Sequence, residues 1–376
     1  MQIGYYSEQM FNNRYTDLLE REFPNLRYQI VSYGEVIKGR MTAEDWLAQN
    51  KDLDVIYVPR YQAEAFINSG RIKELDDLIK RDHFDLSAYV PQAIELARNY
   101  GDGKLYGIPV NYYAKALLVN RDLFKQFGVT PPADQQSWEE ILTIASRFSS
   151  PDQPNLKGLQ LAYQPSALIQ EIGWGKGLAM VDDTGKKATF NSESWLPVWE
   201  NVIAAMQSGS LTFENSPTIE AFLKGERAMV YASIDEFSAI RSNPASFEWS
   251  FVTAPVGTAG DNVTRQFAID GFYALAGSSQ HADMAWELLQ FLSSEKAARW
   301  GDSFVYGFST LQGRNDEQNA AFRKLDAGRP YEFNLSPKLI SMLDATLQEV
   351  AGKKKELKVA LTELQANAET VIAQEE

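Results

Sequence analysis

Residues 105–119 read Leu-Tyr-Gly-Ile-Pro-Val-Asn-Tyr-Tyr-Ala-Lys-Ala-Leu-Leu-Val, an extended stretch with no helical period. A strand usually spans about five or six residues, so this run is long for one strand. It is suited to carry the chain out of one domain and into another. Upstream of it, strand-like and helix-like segments alternate. Ile3 to Tyr6 is a short apolar strand, and a helical stretch follows around Tyr15 to Phe23. Leu26 to Val31 alternates with period two, and Leu53 to Val58 is a nearly continuous apolar run stopped by Pro59. Parallel strands buried on both faces look like that second run. A helix around Gln62 to Ser69 ends at Gly70, a residue suited to a C-cap. Strands alternating with helices predict βαβ units, a mostly parallel sheet and an α/β fold.

Downstream, Ser137 and Glu140 have capping-box spacing, and Trp138, Ile141, Ala145 and Phe148 continue on one helical face. A second α/β region runs to about Pro255 and closes on the strand Phe251 to Ala254. Gln266 to Ala276 is another apolar strand-like run, followed by a helix from about Ala282 to Leu292. The C-terminal stretch is helical, with Leu339, Ile340, Leu343, Leu347 and Val350 on one face. The pattern resumes after Gly352 at Leu357, Leu361 and Leu364, and Lys353 to Lys355 form a solvated helix face.

The 376 residues are more than one core usually holds, so two domains are expected. With 36 Lys and Arg against 50 Asp and Glu, the formal charge is −14. That balance argues against a nucleic-acid partner and against adhesion to anionic lipid. The absence of cysteine removes disulfides, thiolate nucleophiles, iron–sulfur clusters and cysteine-based zinc sites. No run of roughly 18 apolar residues is present, so no membrane-spanning helix is expected. Aromatic residues are frequent, at 17 Tyr, 20 Phe and 8 Trp. A large core accounts for most of them; a ring-binding cleft would need some of them in loops.

Catalytic motifs are missing. His83 and His281, the two histidines, lie in charged helix-edge contexts, and neither belongs to a metal-ligand pair. Gly101-Asp102-Gly103 lacks the third glycine of a dinucleotide fingerprint, and no Gly-Lys pair has the upstream glycine of a P-loop. There is no Gly-x-Ser-x-Gly elbow. No cofactor is expected. A glycosidase built on two carboxylates remains an alternative, since such a pair can come from anywhere in the chain.

Several segments, taken in order, resemble an extracellular solute-binding protein of an ABC importer, in the carbohydrate-binding group that includes maltose-binding proteins. They are Gly103 to Pro109, Leu118 to Phe124, Pro131 to Glu140, Lys186 to Asn191, Phe222 to Met229, Ala254 to Gly257 and Ala285 to Leu292. The resemblance implies a two-lobed periplasmic-binding-protein-like fold with a hinge between lobes and C-terminal helices. Residues 1–110 and 265–305 would form one lobe, and 111–264 with 306–376 the other. It further implies a monomeric, non-catalytic receptor that closes on a carbohydrate, an oligosaccharide, and delivers it to an ABC transporter permease. The family is exported, as a membrane-anchored lipoprotein or free in a periplasm, so Met1 is expected to stand where a removed export signal ended.

A sugar is held by aromatic faces against its C–H surface and by planar polar groups on its hydroxyls. In open α/β sheets such groups sit on loops at the carboxyl ends of strands. That rule nominates Glu8 and Gln9 after the first strand, and Arg60 and Tyr61 after Val58. It also nominates Asn111, Tyr112 and Tyr113 at the first crossover, and Asp270 and Phe272 at the second. From the other lobe come Trp174, read as a turn between Gly173 and Gly175, together with Asp235 and Phe237. Tyr112 and Tyr113 point to opposite faces of a strand, so one of them is the expected contact. Arg60 is equally suited to pairing a surface acid, and Asp270 to forming a turn. The maltose-binding branch carries a stacking Trp where this chain has Asp235 to Phe237, a departure that argues against maltodextrin while leaving carbohydrate as the class. An acidic sugar or peptide is a further alternative, with Arg60 and Lys115 to pair its carboxylate.

Overall fold

The computed structural model describes residues 1–149, 152–182, 184, 186–300, 307–314, 317–328 and 335–375. It is a mixed α/β fold. In chain order its strands are β1 (Gln2–Tyr5), β2 (Gln29–Ser32), β3 (Val55–Pro59), β4 (Gly107–Pro109), β5 (Asn111–Tyr113), β6 (Ala116–Asn120), β7 (Lys157–Leu161), β8 (Leu211–Phe213), β9 (Arg227–Ala232), β10 (Trp249–Thr253), β11 (Val263–Thr264), β12 (Ala268–Ile269), β13 (Gly271–Leu275), β14 (Phe308–Ser309) and β15 (Asp326–Ala327). The chain divides into two compact units: Met1–Ala114 with Phe267–Glu317, and Lys115–Gln266 with Gln318–Glu376. The sequence boundary at 305–306 lies outside the described residues. The first unit extends to Glu317 because β14 pairs with β5, setting Phe308 opposite Tyr112.

The first unit is built on a five-stranded sheet of order β2-β1-β3-β13-β4. The apolar run preceding Pro59 becomes β3, in which all five residues are buried, as expected for the sheet interior. β2, β1 and β3 are mutually parallel, while β13 runs against β3 and β4. The second unit repeats the plan with order β10-β6-β9-β7-β8, in which β6 alone runs against the others. The reversed strand of each sheet is the one the chain enters on crossing from the other unit. β6 begins just after the Ala114–Lys115 crossing, and β13 lies just after the Gln266–Phe267 crossing. Each crossing therefore arrives at the edge where the other strands of that sheet have their carboxyl ends.

The long 105–119 stretch is three short strands, β4, β5 and β6, rather than one. Likewise the 266–276 run breaks at Asp270, with β12 pairing β5 and β13 pairing β3. The capping box is formed: Ser137 Oγ accepts from the Glu140 amide, and the Glu140 carboxylate takes the Ser137 amide at 2.7 Å. Trp138, Ile141, Ala145 and Phe148 all enter the core of the second unit. The helices Pro337–Ala351 and Leu357–Glu375 pack into the same core through Leu339, Leu343, Leu347, Leu361 and Leu364. No helix among the described residues is long and apolar enough to cross a membrane.

Candidate functional site

In the first unit the carboxyl ends of β1 and β3 and the start of β13 share one edge. Asp270 sits there as an acceptor rather than a turn former. Its Oδ2 accepts from the Tyr57 hydroxyl at 2.5 Å and its Oδ1 from the Tyr113 hydroxyl at 3.2 Å. Its backbone carbonyl accepts from the Arg60 amide, and its own amide donates to the Asn111 carbonyl. Asn111 Oδ1 takes a hydrogen bond from Arg14 at 3.2 Å. The edge thus gathers Asn111, Tyr113, Asp270, Arg60 and the exposed Tyr61. Burial, followed by the Asp270 carboxylate, pushes the Tyr57 and Tyr113 hydroxyls well above the ordinary phenol range, so both stay neutral donors. Tyr6 contributes the edge's other ring, half-buried between Tyr33 at 5.4 Å and Tyr57 at 5.6 Å. Tyr5 beside it is core, as strand alternation requires.

Three sequence-nominated contacts are core residues instead. Tyr112 is 0% exposed, stacked between Phe267 at 4.6 Å and Phe308 at 5.3 Å. Phe272 is buried in β13 opposite Pro109 and Val58. Phe237 packs on Phe251 and Phe322. In each case a strand or helix already supplies an apolar wall, and burying the ring there is the stronger demand. Glu8 and Gln9 are exposed in the first turn of the helix Glu8–Glu22, which Ser7 caps. Asp235 is exposed in the first turn of the helix Ile234–Ser242, whose own capping box is Ser233 and Glu236.

In the second unit Trp174 lies in a helix, Pro165–Gly175, and not in a turn. The flanking glycines serve close packing. A Cβ on Gly173 would fall 1.9 Å from the Trp195 ring, and one on Gly257 would fall 2.0 Å from the Gly175 carbonyl oxygen. Trp174 is half-buried and lines a cleft of about 280 Å³ with Trp138, Glu171, Asp261, Arg265 and Gln266. The Arg265 guanidinium lies 5.3 Å from the Trp174 ring centre.

Behind this wall is a polar cluster. Glu171 accepts from the Tyr231 hydroxyl through Oε1 and from the Tyr163 hydroxyl through Oε2 at 3.2 Å. Lys115 Nζ lies over both rings, 4.5 Å from Tyr163 and 4.6 Å from Tyr231. Burial lowers the Lys115 ammonium's pKa, opposed by the charges of Glu171 and Glu236. Burial raises that of Glu171, opposed by Lys115 and the two tyrosine hydroxyls. Lys115, suited by its sequence to pairing a ligand carboxylate, thus also lies under the charges of two carboxylates of its own unit.

Glu171, Tyr163, Trp138, Arg265 and Gln266 were not singled out as contacts by the sequence reading. Two signals point to them. Glu171 lies three residues before Trp174, on the same helical face. Tyr163 follows β7 at its carboxyl end, which is the rule that nominated the residues after β1 and β3.

The sequence from residue 42 to 309 matches the family model of bacterial extracellular solute-binding proteins, and the chain belongs to that family. A putative binding protein of Brucella abortus (strain 2308) is 21% identical over 276 residues, covering 71% of this chain and 64% of the relative. The match thus spans less than two thirds of that relative's length. Among solved structures, an ABC substrate-binding protein from Listeria monocytogenes in complex with cycloalternan superposes with a TM-score of 0.62 at 16% identity, over 99% of this chain and 98% of that one. The sugar-binding protein MalE from Xanthomonas citri gives 0.67 at 15% identity, over 100% and 97%. At these identities the likeness shows the fold, that of the two-lobed solute-binding proteins.

Proposed function

We propose that this chain is the receptor of an ABC importer, that it binds a carbohydrate reversibly, and that its two units are the lobes that close on that ligand. The observation that carries this reading is the position of the two candidate edges along the chain. Tyr113 and Lys115 flank the first crossing; Arg265 and Gln266 precede the second, and Asp270 follows it. In such a receptor, a ligand that binds one conformation better shifts the population toward it. The residue types suit a hydroxylated ring: an indole face at Trp174, tyrosine rings at Tyr61 and Tyr113, and carboxylate and amide groups at Glu171, Asp270 and Asn111. Similar structures support the class, since one binds cycloalternan and another is a sugar-binding protein. Proposed with this reading are a permease as partner, a monomeric state and an extracytoplasmic location, anchored or free.

The test is calorimetry with neutral oligosaccharides of varied linkage, cycloalternan among them, beside uronate-containing ones. Saturable binding of a neutral sugar, recovered unchanged after incubation, is the expected result. Steady release of a cleaved product would establish the two-carboxylate glycosidase instead, and binding confined to uronates would establish an acidic ligand.

A further inference from the structure

The Lys115 cluster does more than fill space. Lys115 immediately precedes β6, Tyr231 is in β9, Tyr163 follows β7, and Glu171 projects from the helix Pro165–Gly175. Four separate elements thus place one ammonium over two phenol rings whose hydroxyls both donate to one carboxylate, Glu171, which also forms part of the cleft wall. Glu236, from the helix Ile234–Ser242, adds a second charge acting on Lys115. Its Oε2 is held by the Ser233 hydroxyl and amide at 2.6 and 2.8 Å, while its Oε1 is buried with no hydrogen-bond partner.

We propose that Lys115 is a positioning residue for ligand recognition, holding Glu171 as a carboxylate so that the cleft presents an acceptor for ligand hydroxyls. This rests on the carbohydrate reading above for the nature of the ligand. The physical reasoning is direct. A carboxyl removed from water favours its neutral form, which keeps one oxygen as a donor and halves its usefulness to a hydroxyl-rich ligand. A nearby ammonium opposes that preference. Both Glu171 oxygens accept from tyrosines, so the group is fixed in orientation, and each oxygen keeps a second lone pair for a ligand. The groups facing Glu171 are Lys115, Tyr163 and Tyr231, with Asp261 and Arg265 on the same cleft wall. Of the groups that act on Glu171, Lys115 is the one that brings positive charge, so its removal is the decisive perturbation.

The test uses Lys115→Met, which keeps the stem, Lys115→Arg, which restores a cation, and Glu171→Gln. With a neutral oligosaccharide that binds the wild type, such as cycloalternan, Lys115→Met should weaken binding about tenfold at pH 7, the cost of one charge-assisted hydrogen bond. Raising the pH should restore part of it, as Glu171 ionises without help. Glu171→Gln should weaken binding with no recovery at high pH, and Lys115→Arg should stay near wild type. A loss in Lys115→Met that is equal at every pH would make Lys115 merely structural and overturn the proposal. If none of the sugars binds the wild type, the carbohydrate reading fails on its own. The positioning role is then decided by carboxyl NMR of protein labelled at glutamate, with the Glu171 signal assigned by its loss in Glu171→Gln. Its titration should move up by at least about one pH unit in Lys115→Met; an unmoved titration overturns the proposal.

Discussion

The Tyr57 hydroxyl donates to Asp270 Oδ2 at 2.5 Å, joining residues 213 positions apart in the chain. Tyr57 is in β3 and Asp270 is the residue before β13, so this bond ties the returning chain to the middle of the first sheet. Tyr113 reaches the same carboxylate from β5. One acid thus organises the edge on which Arg60, Tyr61 and Asn111 are displayed.

Tyr57→Phe removes a donor to a partly buried carboxylate while leaving the ring in place. Hydrogen bonds to charged groups contribute about 1.5–3 kcal/mol, so a loss of about 2 kcal/mol is expected in chemical denaturation. Tyr113→Phe, acting on a more exposed hydroxyl, should cost less. Equal losses would mean that Asp270 is not held mainly through Tyr57.

Acid sensitivity should trace in part to Asp54, at the opposite end of β3. Burial pushes its carboxyl up. Hydrogen bonds from Ser279 Oγ at 2.5 Å, the Gln2 amide at 2.8 Å and His281 at 3.2 Å outweigh burial and hold it below the usual carboxylate range. Its folded value is therefore lower than its unfolded one. The stability it contributes is present above the unfolded value, near pH 4, and is lost as pH falls through the folded value. Asp54→Asn should lower the thermal midpoint at pH 7 and leave a shallower decline below about pH 4. An unchanged acid limb would assign that decline to other carboxylates.

Trp174→Ala should leave the fold intact, because the ring is only half-buried and its helix is anchored by Leu168, Ile169 and Ile172. An aromatic face buried by ligand stabilises by about 1.5–3 kcal/mol, so sugar affinity should fall about 10- to 100-fold. Calorimetry reads the affinity and far-UV circular dichroism the fold. Unchanged affinity would move the site away from this cleft.

Most of the architecture was legible in the sequence, because strand and helix periods are local properties. Leu53 to Val58 announces a buried strand, and Ser137 with Glu140 announces a helix start, without reference to anything distant. The site was less legible for two reasons. Whether Tyr112 or Tyr113 faces outward depends on what covers each face, and Phe267 and Phe308, far along the chain, cover Tyr112. Glu171 carries meaning only through Lys115, Tyr163 and Tyr231, which three other elements bring to it. Gly173-Trp174-Gly175 was misleading because glycine signals both turns and close packing, and the partners that distinguish them, Trp195 and Gly257, lie elsewhere in sequence.

Those glycines yield the sharpest test of how the cleft is built. A Cβ at position 257 would stand 2.0 Å from the Gly175 oxygen and 2.3 Å from its carbonyl carbon, both backbone atoms that no side-chain rotation can clear. Either the helix end or the 255–257 loop must shift. The loop is tied to the neighbouring helix start, since the Trp138 amide donates to the Val256 carbonyl at 3.2 Å. The helix end should therefore give way, carrying Trp174 with it and changing its alignment with Arg265. Gly257→Ala is expected to cost about 1–3 kcal/mol of stability, as overpacking does, and to weaken sugar binding as well. Gly177→Ala is the matched control. Its φ of +76° makes an alanine there strained by about 1–2 kcal/mol, yet no atom lies within 4 Å of the added carbon and the residue does not line the cleft. It should lose stability and keep its affinity. If both variants bind the sugar as well as the wild type, the Gly175–Gly257 approach supports the fold alone and not the placement of Trp174.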